Sequence, residues 1–322
     1  MRTYPQTLDI PEIDQIPNFM KILDDLSVGN NVFLKGIAGT GKTTLGEKVA
    51  YAHFGRREND KKELPFIIIS CNQYTSPIDI KGGQTMYGYK EGGLIEAWRD
   101  GKILIIDEMP KLDPNTAGLL NDPLAKSAKE GAIIFNGLNE PVVKHPDFGC
   151  IATGNVTGKA VSSTYVGNNR QDSSLLDRFS GSIYEIGFNE KLERSLVYPP
   201  LVDICIAIRS SILKYEGKDN TAGDMEDIMT LRTMLNFQRI YIQEMLRQTG
   251  VTNTSKKISK PVRNGKTLKD CLESYFLVMN REKAAHIRRE VNLEEFLNRY
   301  KGAEMKQVFI HEYKRRNGLL TL

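Results

Sequence analysis

The residues best suited to chemistry in this chain lie in one short glycine-rich loop, residues 36–44. Glycine leaves the backbone N–H groups of such a loop uncovered, so several of them can face one phosphate chain. Lys42 is placed to reach the β- and γ-phosphates, and the Thr43 hydroxyl is placed to bind Mg²⁺. The residues expected to bind the nucleotide are Gly36, Ala38, Gly39, Thr40, Gly41, Lys42, Thr43 and Thr44. A predicted strand before the loop (31–35) and a predicted helix after it (43–54) provide the setting in which this motif binds nucleotides.

A pair of acidic residues, Asp107 and Glu108, ends a second apolar run, residues 103–106. An apolar run without alternation indicates a strand covered on both faces, as in a parallel sheet. At its carboxyl end, Asp107 is expected to hold Mg²⁺ through water, and Glu108 to orient and deprotonate an attacking water. Asn155 follows another predicted strand, so its amide is expected at the same edge, near the γ-phosphate or that water. These residues predict hydrolysis of a nucleoside triphosphate.

The composition is that of an ordinary globular protein: 322 residues, 40% hydrophobic and 26% charged. No apolar run has the length of a membrane span, and the N-terminal residues lack the apolar core of a signal peptide. The cysteines are far apart in the sequence, which favours free thiols in a reducing compartment over a disulfide framework. They are Cys71, Cys150, Cys205 and Cys271. The sequence therefore predicts a cytoplasmic protein with no membrane segment.

The charge is distributed unevenly along the chain. The net charge is +4, but residues 251–322 hold 16 Lys and Arg against 8 Asp and Glu. Such a basic segment is suited to nucleic acid or to an acidic partner. The alternative is a solvated helical face with ordinary charge mixing, and we favour it because acidic residues are interleaved throughout.

Predicted strands alternate with predicted helices in the first half, which indicates a parallel sheet flanked by helices. The predicted strands are 31–35, 65–71, 102–106, 149–153 and 182–188, and the predicted helices are 16–26, 43–54, 93–100 and 115–128. A β-hairpin, 132–135 with 141–144, interrupts this order before the fourth parallel strand. We therefore predict an α/β nucleotide-binding domain (1–190), an α-helical lid (191–250), and a basic linker with a helical C-terminal extension (251–322).

Several stretches together resemble the AAA+ ATPases, and within them the MoxR-type and cobaltochelatase-like branch. They are GGLIEAWRDGKILIIDEM, HPDFGCIATGN, YVGNN followed by SSLLDRF, and TLRTML, in addition to the phosphate loop. The resemblance covers roughly residues 10–250. It implies a P-loop AAA+ fold, with a five-stranded parallel sheet and an inserted hairpin, and it implies ATP and Mg²⁺ as ligands. One relative in that branch uses GTP, so the choice of nucleotide stays open at this point.

The resemblance also implies roles for individual residues. Asn155 corresponds to the first sensor. Arg178 matches the arginine finger, which acts on the nucleotide bound by a neighbouring subunit, and Arg232 matches the second sensor on the lid. Arg170 is a weaker candidate for a contact between subunits. A surface ion pair between Arg178 and Asp177 is the alternative to the finger.

An arginine supplied by a neighbour implies a ring, by resemblance a homo-hexamer. The family implies remodelling of a protein client or insertion of a cofactor, often with a von Willebrand factor A domain protein. A nucleic-acid motor and a switch whose nucleotide state controls assembly remain as alternatives. Residues 79–92 hold Met86, Tyr87 and Tyr89 among glycines. These side chains are suited equally to gripping a partner and to packing against the inserted hairpin.

Overall fold

The computed structural model describes residues 16–55, 64–155, 168–217, 227–250 and 265–317. The chain divides into two compact units, Met1–Gly187 and Phe188–Leu322. Within the described residues, no helix is both long enough and apolar enough to cross a membrane.

The first unit holds the strands and seven of the described helices. The strands are β1 Val32–Lys35, β2 Phe66–Ser70, β3 Gly83–Thr85, β4 Gly88–Lys90, β5 Ile103–Asp107, β6 Ile133–Phe135, β7 Pro141–Val143, β8 Gly149–Gly154 and β9 Ile183–Glu185. The helices are α1 Phe19–Ser27, α2 Lys42–His53, α3 Pro77–Lys81, α4 Gly93–Asp100, α5 Pro114–Gly118, α6 Asn121–Ala125 and α7 Ser173–Asp177.

Five strands form one parallel sheet in the order β2-β5-β8-β1-β9, which confirms the predicted fold class. The register aligns the carboxyl ends of the central strands, since Lys35 of β1 pairs with Gly154 of β8. On the other side, Ser70 of β2 pairs with Asp107 of β5. The segments that follow these strands, which contain the predicted site residues, therefore begin at one edge of the sheet.

The apolar run of β5 is buried on both faces, as its sequence indicates. Alternate side chains enter two separate cores. Leu104 and Ile106 pack with the Trp98 side of the sheet, whereas Ile103 and Ile105 pack with residues of α1 and α2. None of these four β5 side chains is more than 1% exposed, which explains why the run shows no alternation of apolar and polar residues.

The inserted hairpin predicted before the fourth parallel strand is present as β6 and β7. A second hairpin, β3 and β4, occupies residues 83–90. The loop between β6 and β7 contacts the chain just before β3, because the Gly137 N–H donates to the carbonyl of Lys81, the last residue of α3, at 2.9 Å. A Cβ on Gly137 would lie 1.8 Å from the Gly82 carbonyl oxygen, so only glycine fits there. Met86 and Tyr87, at the tip of the second hairpin, are 91% and 95% exposed rather than packed.

The prediction of one helix over residues 115–128 is wrong. The segment forms two short helices, α5 and α6. Pro123 has no N–H to donate to the turn before it, so an unbroken α-helix would lose a hydrogen bond and meet the proline ring. Gly118 adds backbone freedom at the same place.

The second unit is helical: α8 Glu190–Leu196, α9 Pro199–Glu216, α10 Leu231–Thr249, α11 Leu268–Phe276, α12 Arg281–Glu290, α13 Leu293–Arg299 and α14 Ala303–Arg316. Its C-terminal helices pack on α9 and α10. Ser211 of α9 donates to the Glu290 carboxylate at 2.6 Å, and the Leu268 N–H donates to Glu244 of α10 at 2.8 Å. The segments predicted as lid and as extension therefore share one compact unit.

A buried ion pair joins α8 to α9 in the second unit. Arg209 donates to both carboxylate oxygens of Glu193 at 2.5 and 2.6 Å, and the two side chains are 3% and 2% exposed. The guanidinium also stacks on the Phe188 ring, 4.3 Å from its centroid.

We predict that Arg209→Leu lowers the free energy of unfolding of this unit by about 3–5 kcal/mol, because the Glu193 carboxylate would stay buried without its partner. Replacing both residues by leucine should cost less than the single change. The control is Arg194→Ala, which removes an exposed pair with Asp203 and should cost under about 1 kcal/mol. Denaturant unfolding measures all three variants. Equal small losses in the single Arg209 and Arg194 variants would contradict this account.

Candidate nucleotide-binding site

The glycine-rich loop leaves β1 and turns into α2, whose first residue is Lys42. Gly39 and Gly41 have φ values of 81° and 88°, in the left-handed region that favours glycine. A Cβ on Gly36 would lie 2.1 Å from the Ile186 carbonyl oxygen. The loop therefore keeps a bare backbone at the N-terminus of α2, where N–H groups and the helix dipole favour a phosphate.

Lys42 points back into the loop and is only 7% exposed. Its ammonium donates to the carbonyls of Gly36 and Ile37, each at 2.9 Å. It also donates to the Asn155 side-chain oxygen at 3.0 Å. The structure thus brings the predicted phosphate lysine and the predicted first sensor into direct contact.

Asp107 lies at the end of β5, beside the start of α2. Its Oδ1 accepts a hydrogen bond from the Thr43 hydroxyl at 2.6 Å and from the Thr153 hydroxyl at 2.7 Å. The two residues predicted to hold the metal are therefore adjacent. A hydroxyl and a carboxylate provide the oxygen ligands that Mg²⁺ prefers.

Glu108, next in the chain, has a left-handed backbone (φ 58°, ψ 40°). This conformation is unfavourable for a residue with a Cβ and is kept only where the surroundings determine it. The Glu108 N–H donates to the Thr153 hydroxyl at 3.0 Å. Its carboxylate pairs with Lys111 at 2.9 Å, across a 3₁₀ turn, Met109–Lys111.

Arg178 directly follows α7. Its carbonyl accepts a hydrogen bond from the Asn31 side chain at 3.1 Å, which ties the end of α7 to the start of β1. Its Nε is buried and has no hydrogen-bond partner among the described residues. Asp177 accepts instead from the Ser180 hydroxyl at 3.1 Å. Within the described ranges, no ion pair joins Asp177 to Arg178, so the surface-pair alternative is absent there.

Arg232 belongs to the second unit, where it is exposed in the first turn of α10. Arg170 is exposed in the segment before α7. The roles of both arginines stay predictions.

Sequence reasoning missed three residues at this edge. The Thr153 hydroxyl donates to the Asp107 carboxylate and accepts from the Glu108 N–H. In the sequence, a threonine inside an apolar strand gives no signal beyond its ordinary preference for strands. Lys111 forms an ion pair with Glu108. The spacing of three residues between them was the signal in the sequence that could have predicted this pair. Cys71 follows β2, and its N–H donates to the Asp107 carbonyl at 2.8 Å. Burial, then the charges of Asp107 and Glu108, raise the pKa of the Cys71 thiol to about 12.

Residues 31–179 match the family model of the AAA domain, dynein-related subfamily. Together with the five-stranded parallel sheet, this match shows that these residues have the fold of an AAA domain. The match runs from β1 past Arg178, so it includes the loop, the acidic pair and Asn155. The resemblance to AAA+ ATPases is thereby confirmed for this part of the chain, and the narrower MoxR-type assignment stays a proposal.

Similar full-length proteins carry no functional description. An uncharacterized protein of Staphylococcus epidermidis is 28% identical over 162 residues, which cover 47% of this chain and 54% of that protein. One of Staphylococcus aureus (strain USA300) is 28% identical over 172 residues, which cover 50% and 57%. The chain spans about half the length of the curated relatives it matches. The crystal structure of NtrX from Brucella abortus aligns with 90% of this chain and 62% of its own, with 14% identity and a TM-score of 0.43.

We predict that Cys71 resists alkylation in the folded protein near pH 8. The thiolate is the reactive form, and a raised pKa keeps the thiol protonated below pH about 12. Mass spectrometry after iodoacetamide treatment should find Cys71 unmodified in the native protein and modified in denaturant. Rapid native labelling of Cys71 would show that this edge of the sheet opens readily.

Proposed function

We propose that this protein is an ATP-hydrolysing AAA+ remodelling ATPase of the MoxR type, whose complete active sites form between subunits of a ring. The observation that supports it most is the placement of Lys42, Thr43, Asp107 and Asn155 at one edge of the sheet, where Lys42 donates to Asn155 and Thr43 donates to Asp107. Glu108 stands next to them. A phosphate-binding loop, a metal-binding pair and a candidate base are thus present in one domain.

The loop fits a phosphate chain because its backbone is bare and its ammonium is already at the site. Lys42 would exchange the Gly36 and Ile37 carbonyls for β- and γ-phosphate oxygens, which are stronger acceptors because they are charged. The Asn155 side-chain oxygen also accepts from this ammonium, so Asn155 would be released to contact the γ-phosphate or the attacking water once the ammonium turns to the phosphates. Mg²⁺, when bound, would neutralise charge on the phosphates, with Thr43 and Asp107 as the protein's oxygen donors.

Glu108 is proposed as the general base. Its backbone is fixed by Thr153, whereas its carboxylate is 28% exposed and pairs with Lys111. A half-exposed ion pair of this kind contributes only about 0–1 kcal/mol, so the carboxylate can leave Lys111 to accept a proton from water.

Arg178 is proposed to act on a nucleotide bound by a neighbouring copy. It is the arginine of the LLDRF motif, and its Nε is without a partner among the described residues. A planar guanidinium can spread the charge that develops on the transferred phosphoryl group. Repeating this head-to-tail contact closes a ring, for which we propose a homo-hexamer.

The resemblance also supports a protein client or a cofactor-insertion partner, including a von Willebrand factor A domain protein. The free cysteines support a cytoplasmic location. The inserted hairpin does not favour the nucleic-acid alternative. A lysine on it, Lys144, could have bound a phosphate backbone, but it is only 8% exposed, and burial lowers the pKa of its ammonium. The exposed residues of that hairpin include Ile133, Phe135 and Leu138, which carry no charge for a phosphate backbone.

We predict that Lys42→Ala abolishes ATP binding and that Glu108→Gln binds ATP normally but barely hydrolyses it. The first change removes the only phosphate-facing side-chain cation proposed for the loop, and the second removes the base but keeps the size of the side chain. Calorimetric titration and phosphate release separate the two effects. Lys21→Ala and Glu130→Gln, both at exposed positions, serve as controls and should match the unaltered protein. Normal turnover by Glu108→Gln would remove Glu108 from this role.

We predict that Arg178→Ala keeps ATP binding but loses turnover by about 10³-fold or more, as expected for a finger. Mixing Arg178→Ala with Lys42→Ala subunits should restore part of the activity, because each variant supplies what the other lacks. Arg281→Ala, at an exposed position of the second unit, is the control and should change nothing. If the mixture stays inactive at every ratio while exchange of subunits is verified, the trans assignment fails.

A further inference from the structure

The turn that carries Glu108 is held from the far side by a short segment, residues 169–171, which we call the strap. Both the backbone and the side chain of Asn169 donate hydrogen bonds to this turn. Its N–H donates to the Pro110 carbonyl at 2.7 Å, and its side-chain amide donates to the Leu112 carbonyl at 2.9 Å. The amide of Gln171 donates to the same two carbonyls at 3.3 and 3.0 Å. The strap therefore fixes the end of the 3₁₀ turn that begins after Glu108.

Gln171 is buried, with 4% of its surface exposed. Its Nε2 faces three carbonyl oxygens, those of Pro110, Leu112 and Asn169. Its Oε1 is buried and has no partner among the described residues. A buried acceptor without a partner opposes folding, whereas the amide N–H groups satisfy backbone carbonyls of the turn. The contacts that Gln171 makes to the turn are therefore those of its donors.

The strap is followed directly by α7, the helix that ends just before Arg178. Asp172, the next residue, caps α7 by accepting from the Ser174 N–H at 3.1 Å. The helix spans Ser173–Asp177, and Arg178 follows it. The base of one active site and the proposed finger for the next are therefore attached to one short hydrogen-bonded segment.

We infer that Asn169 and Gln171 are positioning residues, which hold the Glu108 turn at a fixed place relative to α7 and so set the placement of the general base. This inference rests on the proposed function of Glu108. Thr153 accepts from the Glu108 N–H on one side, and the strap donates to the carbonyls of Pro110 and Leu112, two and four residues further on. Between these two anchors the backbone keeps a left-handed conformation that would otherwise relax.

The first test is Gln171→Leu, which keeps the approximate volume and removes the donors. The ATP dissociation constant should stay within about 2-fold, because no strap residue is placed at the loop, whereas kcat should fall by about 10-fold or more. Gln307→Leu, at an exposed position of α14, is the matched control and should leave both values unchanged. Asn169→Ala is the second variant, since Asn169 is only partly buried, and its kcat should fall less.

The second test uses pH to separate positioning from loss of structure. In Gln171→Glu, burial against carbonyl oxygens raises the pKa of the new carboxyl group, so its protonated, hydrogen-bond-donating form is favoured as the pH falls. The ratio of variant to unaltered kcat should therefore rise, by about 3-fold or more, between pH about 8 and about 6. The same ratio for Gln307→Glu should stay flat. Thermal unfolding at each pH confirms that the protein stays folded.

The outcomes separate this inference from the proposed function. If Glu108→Gln abolishes turnover but Gln171→Leu and Asn169→Ala keep full kcat, the strap is not a positioning device and the inference fails alone. If Glu108→Gln itself keeps turnover, the proposed base is wrong. If Gln171→Leu is unfolded, the other two measurements decide. Full kcat in Asn169→Ala would overturn the inference. So would a ratio of Gln171→Glu to unaltered kcat that stays constant between pH about 8 and about 6.

Discussion

The hydrogen bond between the Lys42 ammonium and the Asn155 side chain ties the glycine-rich loop to the central strands of the sheet. It joins the loop after β1 to the end of β8, and it requires these two strands to be neighbours in register. The ammonium is buried, so its hydrogen bonds must be satisfied inside the protein. The bare backbone that Gly36 provides lets two carbonyls do this. Under the proposed function, a bound phosphate would compete with these acceptors for the N–H groups of the Lys42 ammonium.

Much of this was predictable from the sequence, because the signals were local. The glycines of the loop and the unbroken apolar run before Asp107 each depend on short-range backbone chemistry. Contacts between distant segments were not predictable in this way. Thr153 looks like any strand residue until β5 and β8 are paired, and Gln171 looks like a polar loop residue until the chain folds back on Leu112. The prediction of one helix over residues 115–128 was wrong because it ran through Pro123.

The AAA domain is thus organised around two linked requirements. One is the edge of the sheet that holds Lys42, Thr43 and Asp107, which we propose binds the phosphates. The other is a connection from that edge to α7, which passes through the Glu108 turn and the strap. The first suits nucleotide binding within a single subunit, whereas the second relates the proposed base to an arginine proposed to serve a different subunit. Binding and hydrolysis should therefore differ in their dependence on assembly.

The most direct test of this account is the specific activity of ATP hydrolysis as a function of protein concentration, with the assembly state measured in the same samples by light scattering. The account predicts that dilute monomer binds ATP but is nearly inactive, and that specific activity rises as subunits associate. Full turnover by a monomeric sample, independent of concentration, would contradict it.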